Sequence, residues 1–281
     1  MPDNRSTSGS VRPTVVSMKP NTMGKTASRA EHAYINVRNW ERGNAMPLNL
    51  IRLPLENVKN CRDLGGYPTP QGITKWRSFL RSGDLGRMND QEGKVLHDFG
   101  VRSVIDLRSP EECELSPNPL AADPRFRYTI VDLIPRPLDG ETFMTRDLSK
   151  ITLGDLYVSI LEHKRQIQRV FTQIADAPAG AVLFHCTAGK DRTGVVAMLL
   201  LGLAGVDEKD ILCNYQVSST YLDITHEVLR RVPVNMLESR PEYLKQAMDH
   251  IQNRYGNIEK YFEACGLDAS IQSKILSRMI E

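Results

Sequence analysis

The chain has no long hydrophobic run. Its longest nearly uninterrupted apolar stretch, Val195 to Val206, contains two glycines and falls short of the roughly 20 residues that a membrane helix requires. No integral membrane segment is therefore expected. Cysteine is scarce: Cys61, Cys113, Cys186, Cys213 and Cys265 are odd in number and unevenly spaced, unlike a secreted disulfide framework. The first 20 residues lack an apolar block followed by a small-residue cleavage site, so classical export is not expected. A reducing, cytoplasmic location fits both observations, with non-classical export left open. Net charge is also small, at +2. A protein that gained its affinity by neutralising many phosphates would be far more basic, so nucleic acid is not an expected partner. The six histidines are scattered and no Cys/His pair has ligand spacing, so neither a metal nor another cofactor is expected.

Apolar residues make up 41% of the chain and charged residues 25%, which is enough material for a buried core. Residues 1–48 stand apart. They are rich in Ser, Thr, Asn, Pro and Arg, carry seven Lys/Arg against three Asp/Glu, and show no hydrophobic period, which predicts a flexible N-terminal tail. Residues 49–281 then form the folded domain. There, short β-branched runs alternate with helical periods, the pattern of an α/β fold with a mostly parallel central sheet flanked by helices.

The texture predicts strands over Gly72–Leu80, Val101–Leu107, Tyr128–Ile134 and Ala181–His185. Leu153, Leu156, Tyr157, Ile160, Leu161, Ile167, Phe171 and Ile174 recur at helical spacing and predict one long amphipathic helix from Leu153 to Ala175. Val195–Ala204 is apolar almost all round, as a central helix should be. The C-terminal part reads as helical over Glu208–Ser218, Pro241–Tyr255, Ile258–Cys265 and Ser270–Ile280.

Between the last predicted strand and the central helix lies HCTAGKDRTG, His185 to Gly194. A glycine loop that leaves a parallel strand and opens a helix turns successive backbone N–H groups toward one point, where the positive end of the helix dipole also lies. An oxyanion is attracted there, and a cysteine at its base is favoured as thiolate. Cys186 is thus the candidate nucleophile, and the backbone of Thr187, Ala188 and Gly189 a candidate phosphate cradle. Arg192 supplies a rigid guanidinium fork matched to two phosphate oxygens. Thr193 can offer a hydroxyl to the Cys186 sulfur, and His185 is placed to orient the loop from the strand end.

The ten-residue loop resembles the HCxxGxxR(S/T) signature of the cysteine-dependent tyrosine phosphatase superfamily. More narrowly, it is similar to the bacterial branch related to mycobacterial PtpB and listerial LipA. NCRDLGGY at 60–67, FLRSGDL at 79–85, VIDLRSPEE at 104–112 and YLKQAMDHIQNRYG at 243–256 resemble that family in the same order. The likeness runs from about residue 50 to the end. The tail lies outside it, and Cys61 stands where an apolar or aromatic residue is expected.

The resemblance implies a metal-independent, two-step hydrolysis. Cys186 attacks phosphorus, the alcohol or phenol departs, and water releases phosphate from the phosphocysteine. It also implies phosphotyrosine proteins and phosphoinositides as substrates, a dual specificity, with a phosphatase acting mainly on inositol phosphates or phosphoinositides as the alternative. No WPD tripeptide occurs to supply the general acid. Asp191 is the first choice, because relatives of this branch carry an Asp beside the leaving group. Asp106, which interrupts the apolar strand Val104–Leu107, is a supporting or alternative acid that could instead pair with Arg108 or Arg192. Asp132 is a weaker third. Lys190 is a candidate for a second phosphate, or for tuning the thiol. The span Thr220–Leu244, bent at Pro233 and Pro241, is either a lid over the pocket or a packed helical hairpin. A sulfurtransferase would use a shorter loop, and a non-catalytic binding module would have lost Cys186 or Arg192. Oligomeric state is not legible.

Overall fold

Four short strands open the chain from residue 62, and from Phe79 to Leu203 the described strands are interleaved with helices. In the computed structural model, which describes residues 49–134, 152–222 and 234–281, the strands are β1 (Arg62–Asp63), β2 (Pro68–Thr69), β3 (Gly72–Ile73), β4 (Phe79–Ser82), β5 (Val101–Asp106), β6 (Arg127–Ile130) and β7 (Ala181–His185). The helices are α1 (Asp90–Phe99), α2 (Pro110–Leu115), α3 (Leu153–Glu162), α4 (Lys164–Ala175), α5 (Asp191–Leu203), α6 (Glu208–Gln216), α7 (Val234–Leu237), α8 (Pro241–Tyr255), α9 (Ile258–Ala264) and α10 (Ala269–Met279). The tail 1–48 lies outside the described residues.

Five strands form the central sheet in the order β1-β4-β7-β5-β6. All pairs are parallel except β1 with β4. The fold is therefore the expected mostly parallel sheet flanked by helices, with a helical C-terminal part. Alternation along the strands divides the core. Phe79, Ile105, Val182 and Phe184 join the main apolar cluster with α3, α4 and α5, while Leu80, Val104 and Leu183 are buried outside that cluster. Fully burying one such side chain contributes about 1.5–3 kcal/mol. Register fixes what meets at the carboxyl end: Ser82 pairs with His185, and His185 with Asp106. Open parallel sheets place ligands at this end.

The structure corrects four of the expected elements. The expected strand Gly72–Leu80 is two strands, β3 and β4, separated by a turn over 76–78 in which Arg77 takes a left-handed φ of 59°. The expected strand Tyr128–Ile134 stops at Ile130, although Val131 and Leu133 still donate their N–H groups to the Asp106 and Leu107 carbonyls. The single helix Leu153–Ala175 is α3 and α4, broken at His163, whose ψ of 53° leaves the helical region. The apolar positions give a reason. Between Leu161 and Ile167 a continuous stripe would need an apolar residue at 164 or 165, and both are cationic. The predicted central helix also starts earlier, at Asp191.

Candidate active site

The segment after β7 is shaped by close backbone packing. Gly189 has φ 66°, and a Cβ there would stand 2.5 Å from the Gly83 nitrogen and 2.5 Å from the Ser82 carbonyl. Only glycine allows the loop to seat so tightly on the end of β4. Asp84 N–H donates to the Thr187 carbonyl at 2.9 Å, holding the loop's other shoulder. Helix α5 begins directly behind it with no side-chain cap. Its first-turn N–H groups are thus left for an anion. Cys186 is 1% exposed, at the base of this loop.

Buried arginines support the loop from beneath. Arg81, with no exposed surface, donates to the Gly189 carbonyl at 2.8 Å and to Asn214 Oδ1 at 2.5 Å. Asn60 Nδ2 also donates to the Gly189 carbonyl, at 2.8 Å, while its Oδ1 accepts from Arg62 Nε at 3.0 Å. Arg62 itself reaches the Asn214 carbonyl at 2.9 Å and Ser218 Oγ at 3.1 Å. Burial and then the Arg62 charge push the Arg81 pKa down, while a Cys186 thiolate acts in the opposite direction. The hydrogen-bond partners of both guanidiniums among the described residues are neutral, so positive charge is concentrated under the loop.

A second network holds the strand ends. Arg108 is 1% exposed and grips Asp106 through Nε at 2.9 Å and Nη2 at 2.7 Å. Its Nη1 reaches Asp84 at 2.8 Å and the Ser116 carbonyl at 2.9 Å. Tyr128 donates to Asp106 Oδ2 at 2.6 Å, and the Cys113 thiol approaches it at 3.7 Å. His185 lies 3.3 Å from the same carboxylate, 3.0 Å from Asn118 Nδ2 and 3.3 Å from the Cys186 carbonyl. Burial alone would raise the Asp106 pKa. Hydrogen bonds from His185 and Arg108 and the His185 charge outweigh it and hold the carboxyl well below the usual range. Of Arg108 and Arg192, it is Arg108 that pairs with Asp106.

Arg192 pairs instead with Glu112. Nη1 and Nη2 meet the two carboxylate oxygens at 2.6 and 2.8 Å, and Nη1 also reaches the Leu107 carbonyl at 3.3 Å. Glu112 is itself fixed, because it closes the capping box of α2 with Ser109 and accepts from Thr187 Oγ1 at 2.5 Å. Burial opposes its charge, yet the Arg192 hydrogen bonds and charge bring its pKa down to about 2. Burial likewise opposes the Arg192 charge, but Glu112 and Cys186 drive that pKa up.

At the start of α5, Asp191 Oδ1 accepts from the Tyr157 hydroxyl at 2.6 Å and from Lys190 Nζ at 2.7 Å. Lys190 also donates to the Glu238 carbonyl at 3.0 Å and is 2% exposed. Its ammonium is thus engaged and buried rather than extended toward a second anion. Thr193 Oγ1 is buried without a hydrogen-bond partner. The expected hydroxyl bond to the Cys186 sulfur is therefore not formed, and that donor is left unspent.

The structure brings Cys186, Thr187, Ala188, Gly189, Lys190, Asp191, Arg192 and Thr193 into one loop and helix start, with Asp106 behind them. Asp132 Oδ1 accepts from Ile134 N–H at 2.9 Å. Residues 223–233, within the expected lid or hairpin span Thr220–Leu244, lie outside the described residues. Sequence reasoning missed Glu112, Arg81, Arg62, Asn60 and Tyr157. A signal existed for Glu112, since Ser109 followed by Glu112 is a capping-box pair. Among the described residues no group of three or more His, Cys, Asp or Glu is placed to hold a metal. Nor is any described helix long and apolar enough to cross a membrane.

A buried strand, a loop carrying Cys-x5-Arg and a buried helix thus follow one another, the arrangement expected of a cysteine phosphatase. The model of the tyrosine phosphatase family matches residues 53–281, and the chain belongs to that family. A Nostoc commune tyrosine-protein phosphatase is 45% identical over 148 residues, 52% of this chain and 50% of the relative, so the chain aligns with half the length of that protein. A Cupriavidus necator protein is 31% identical over 228 residues, 74% of this chain and 82% of its own. The triple specificity protein phosphatase PtpB of Mycobacterium tuberculosis is 28% identical over 279 residues, covering 80% of this chain and 96% of PtpB.

Proposed function

We propose that the chain hydrolyses phosphotyrosine monoesters through a phosphocysteine on Cys186. The observation that carries the reading is the shared loop. Cys186 is buried at its start, α5 opens directly from it without a side-chain cap, and Arg192 in the first turn of that helix is held by Glu112. The Cys186 sulfur attacks phosphorus in line with the leaving oxygen. Backbone N–H groups of Thr187 to Gly189 and the Arg192 guanidinium stabilise charge on the phosphoryl oxygens, the dominant catalytic term for such transfers. Thr193 offers its unspent hydroxyl toward the same anion. Asp191 gives its proton to the leaving oxygen and later takes one from the water that releases phosphate.

Asp106 is a poor proton donor in this reading, because Arg108 and His185 keep it ionised. It serves to hold the strand ends. Lys190 is buried and gives two of its three N–H donors to Asp191 and the Glu238 carbonyl, so it is not extended toward a second phosphate. This favours phosphotyrosine over inositol phosphates and phosphoinositides. Residues 49–281 form the catalytic domain in this proposal, supported by a family match that starts at residue 53, with 1–48 as an appended tail. A reducing cytoplasm is the compartment in which a nucleophilic thiol persists.

Hydrolysis of p-nitrophenyl phosphate in the presence of chelator tests the reading. Wild type should turn over, Cys186→Ser should not, and rapid quenching should trap a phosphorylated Cys186 peptide. Retained turnover in Cys186→Ser would overturn it. Phosphotyrosine peptides assayed against phosphoinositides then decide the substrate class.

A further inference from the structure

Asp191 receives both of its hydrogen bonds on one oxygen. The Tyr157 hydroxyl and the Lys190 ammonium donate to Oδ1 at 2.6 and 2.7 Å, whereas Oδ2 accepts from no described residue. A protonated carboxyl has one O–H and one carbonyl-type oxygen. A proton on Oδ1 would face the Lys190 ammonium and require the Tyr157 bond to reverse, so the acid form is favoured with its proton on Oδ2.

The neighbouring hydroxyls support this polarity. Tyr157 and Tyr215 are 2.6 Å apart, oxygen to oxygen. With Asp191 ionised, Tyr157 spends its one hydrogen on the carboxylate, and Tyr215 is then the donor to Tyr157. The result is a directed chain, Tyr215 to Tyr157 to Asp191. Both tyrosines are buried, on α3 and α6, and their rings meet edge to face at 5.8 Å. Burial and then the Asp191 charge push both phenol pKa values up, which keeps them protonated as donors.

We propose that Tyr157 is a positioning residue that, together with Lys190, confines the Asp191 proton to Oδ2 and so aims it at the leaving oxygen. The inference rests on the reading of Asp191 as general acid. In the first step the S–P bond forms and the P–O bond breaks, with its electron pair passing to the leaving oxygen. That oxygen takes the proton from Oδ2, and the charge left on the carboxylate is met at Oδ1 by Tyr157 and Lys190. In the second step water attacks phosphorus, its proton returns to Oδ2, and the Cys186 thiolate departs.

The test is a series of aryl phosphates from 4-nitrophenyl to phenyl phosphate, run on Tyr157→Phe, Asp191→Asn and the double variant. For Tyr157→Phe, kcat on phenyl phosphate should fall about tenfold and on 4-nitrophenyl phosphate less than about threefold, with KM little changed. The double variant should be no slower than Asp191→Asn alone. A uniform fall across the series, or a double variant slowed by the product of both effects, would overturn the positioning role while leaving a steep Asp191→Asn series intact. A flat Asp191→Asn series would overturn the acid assignment and this inference together. Should Tyr157→Phe fail to fold, as read by near-ultraviolet circular dichroism, Tyr215→Phe replaces it. It should give a smaller response in the same direction, and a flat response counts against the chain.

Discussion

Glu112 holds Arg192 with both carboxylate oxygens, at 2.6 and 2.8 Å, from a helix whose first turn the same carboxylate also caps. One side chain therefore couples the start of α2 to the rim of the phosphate loop. Glu112→Gln keeps the shape but removes the charge and one acceptor. Hydrogen bonds to charged groups contribute about 1.5–3 kcal/mol, so kcat/KM on p-nitrophenyl phosphate should fall about ten- to a hundredfold. An unchanged value would show that Arg192 is oriented without it.

The same pair has an acid limit. The Glu112 carboxyl is lowered from its ordinary 4.5 to about 2, so its contribution is fully present above the ordinary value and is lost as the pH falls through about 2. The stability difference between wild type and Glu112→Gln should therefore shrink between those two values in urea titrations. A difference independent of pH across that window would contradict the pairing.

Asp106→Asn should act on the fold more than on proton transfer. It removes the buried one of the two carboxylates that hold Arg108, leaving only Asp84, and breaking a buried pair costs up to about 3–5 kcal/mol. The variant should unfold at markedly lower urea, and any residual turnover should show the wild-type dependence on leaving group. A selective loss on poor leaving groups, without loss of stability, would restore Asp106 as the acid.

Gly189→Ala should disable the loop. The left-handed φ of 66° and a Cβ 2.5 Å from the Gly83 nitrogen force either β4 or the loop to move. Activity should drop by at least about a hundredfold, since displacement of about 1 Å at a reacting centre can cost that much. Near-wild-type activity would mean that the close approach is not needed.

Thiol mapping offers a check that requires no turnover. Burial and then Asp63 push the Cys61 pKa up to about 12, and burial raises Cys265 to about 11, whereas Cys213 is exposed. Iodoacetamide near neutral pH should label Cys213 well before Cys61 or Cys265, as read by peptide mass spectrometry. Equal labelling of the native protein would contradict the burial.

The parts of the site that lie close together in sequence were readable from it. The strand Ala181–His185, the loop and the helix behind it are contiguous, and the parallel sheet follows from the alternation of β-branched runs with helical periods. What escaped reading is held together across long sequence separations. Nothing near Arg81 announces that it ends on the Gly189 carbonyl, and nothing near Tyr157 shows that it meets Asp191. Local pattern also misled where it persisted through a break. The apolar stripe of α3 resumes in α4 after His163, so periodicity alone joined two helices. Asp106 was singled out correctly as a polar group in an apolar strand, but which guanidinium answered it was a matter of tertiary placement.

The loop is tethered largely through carbonyl oxygens: Arg81 and Asn60 end on that of Gly189, and Lys190 on that of Glu238. Main-chain acceptors are the same whatever residue bears them. Position 238 can therefore drift in related chains without loosening its tether, and these couplings should leave no trace of correlated substitution. The anchors that matter most to the loop's shape would then be invisible to methods that search for paired changes, and would be found only in coordinates.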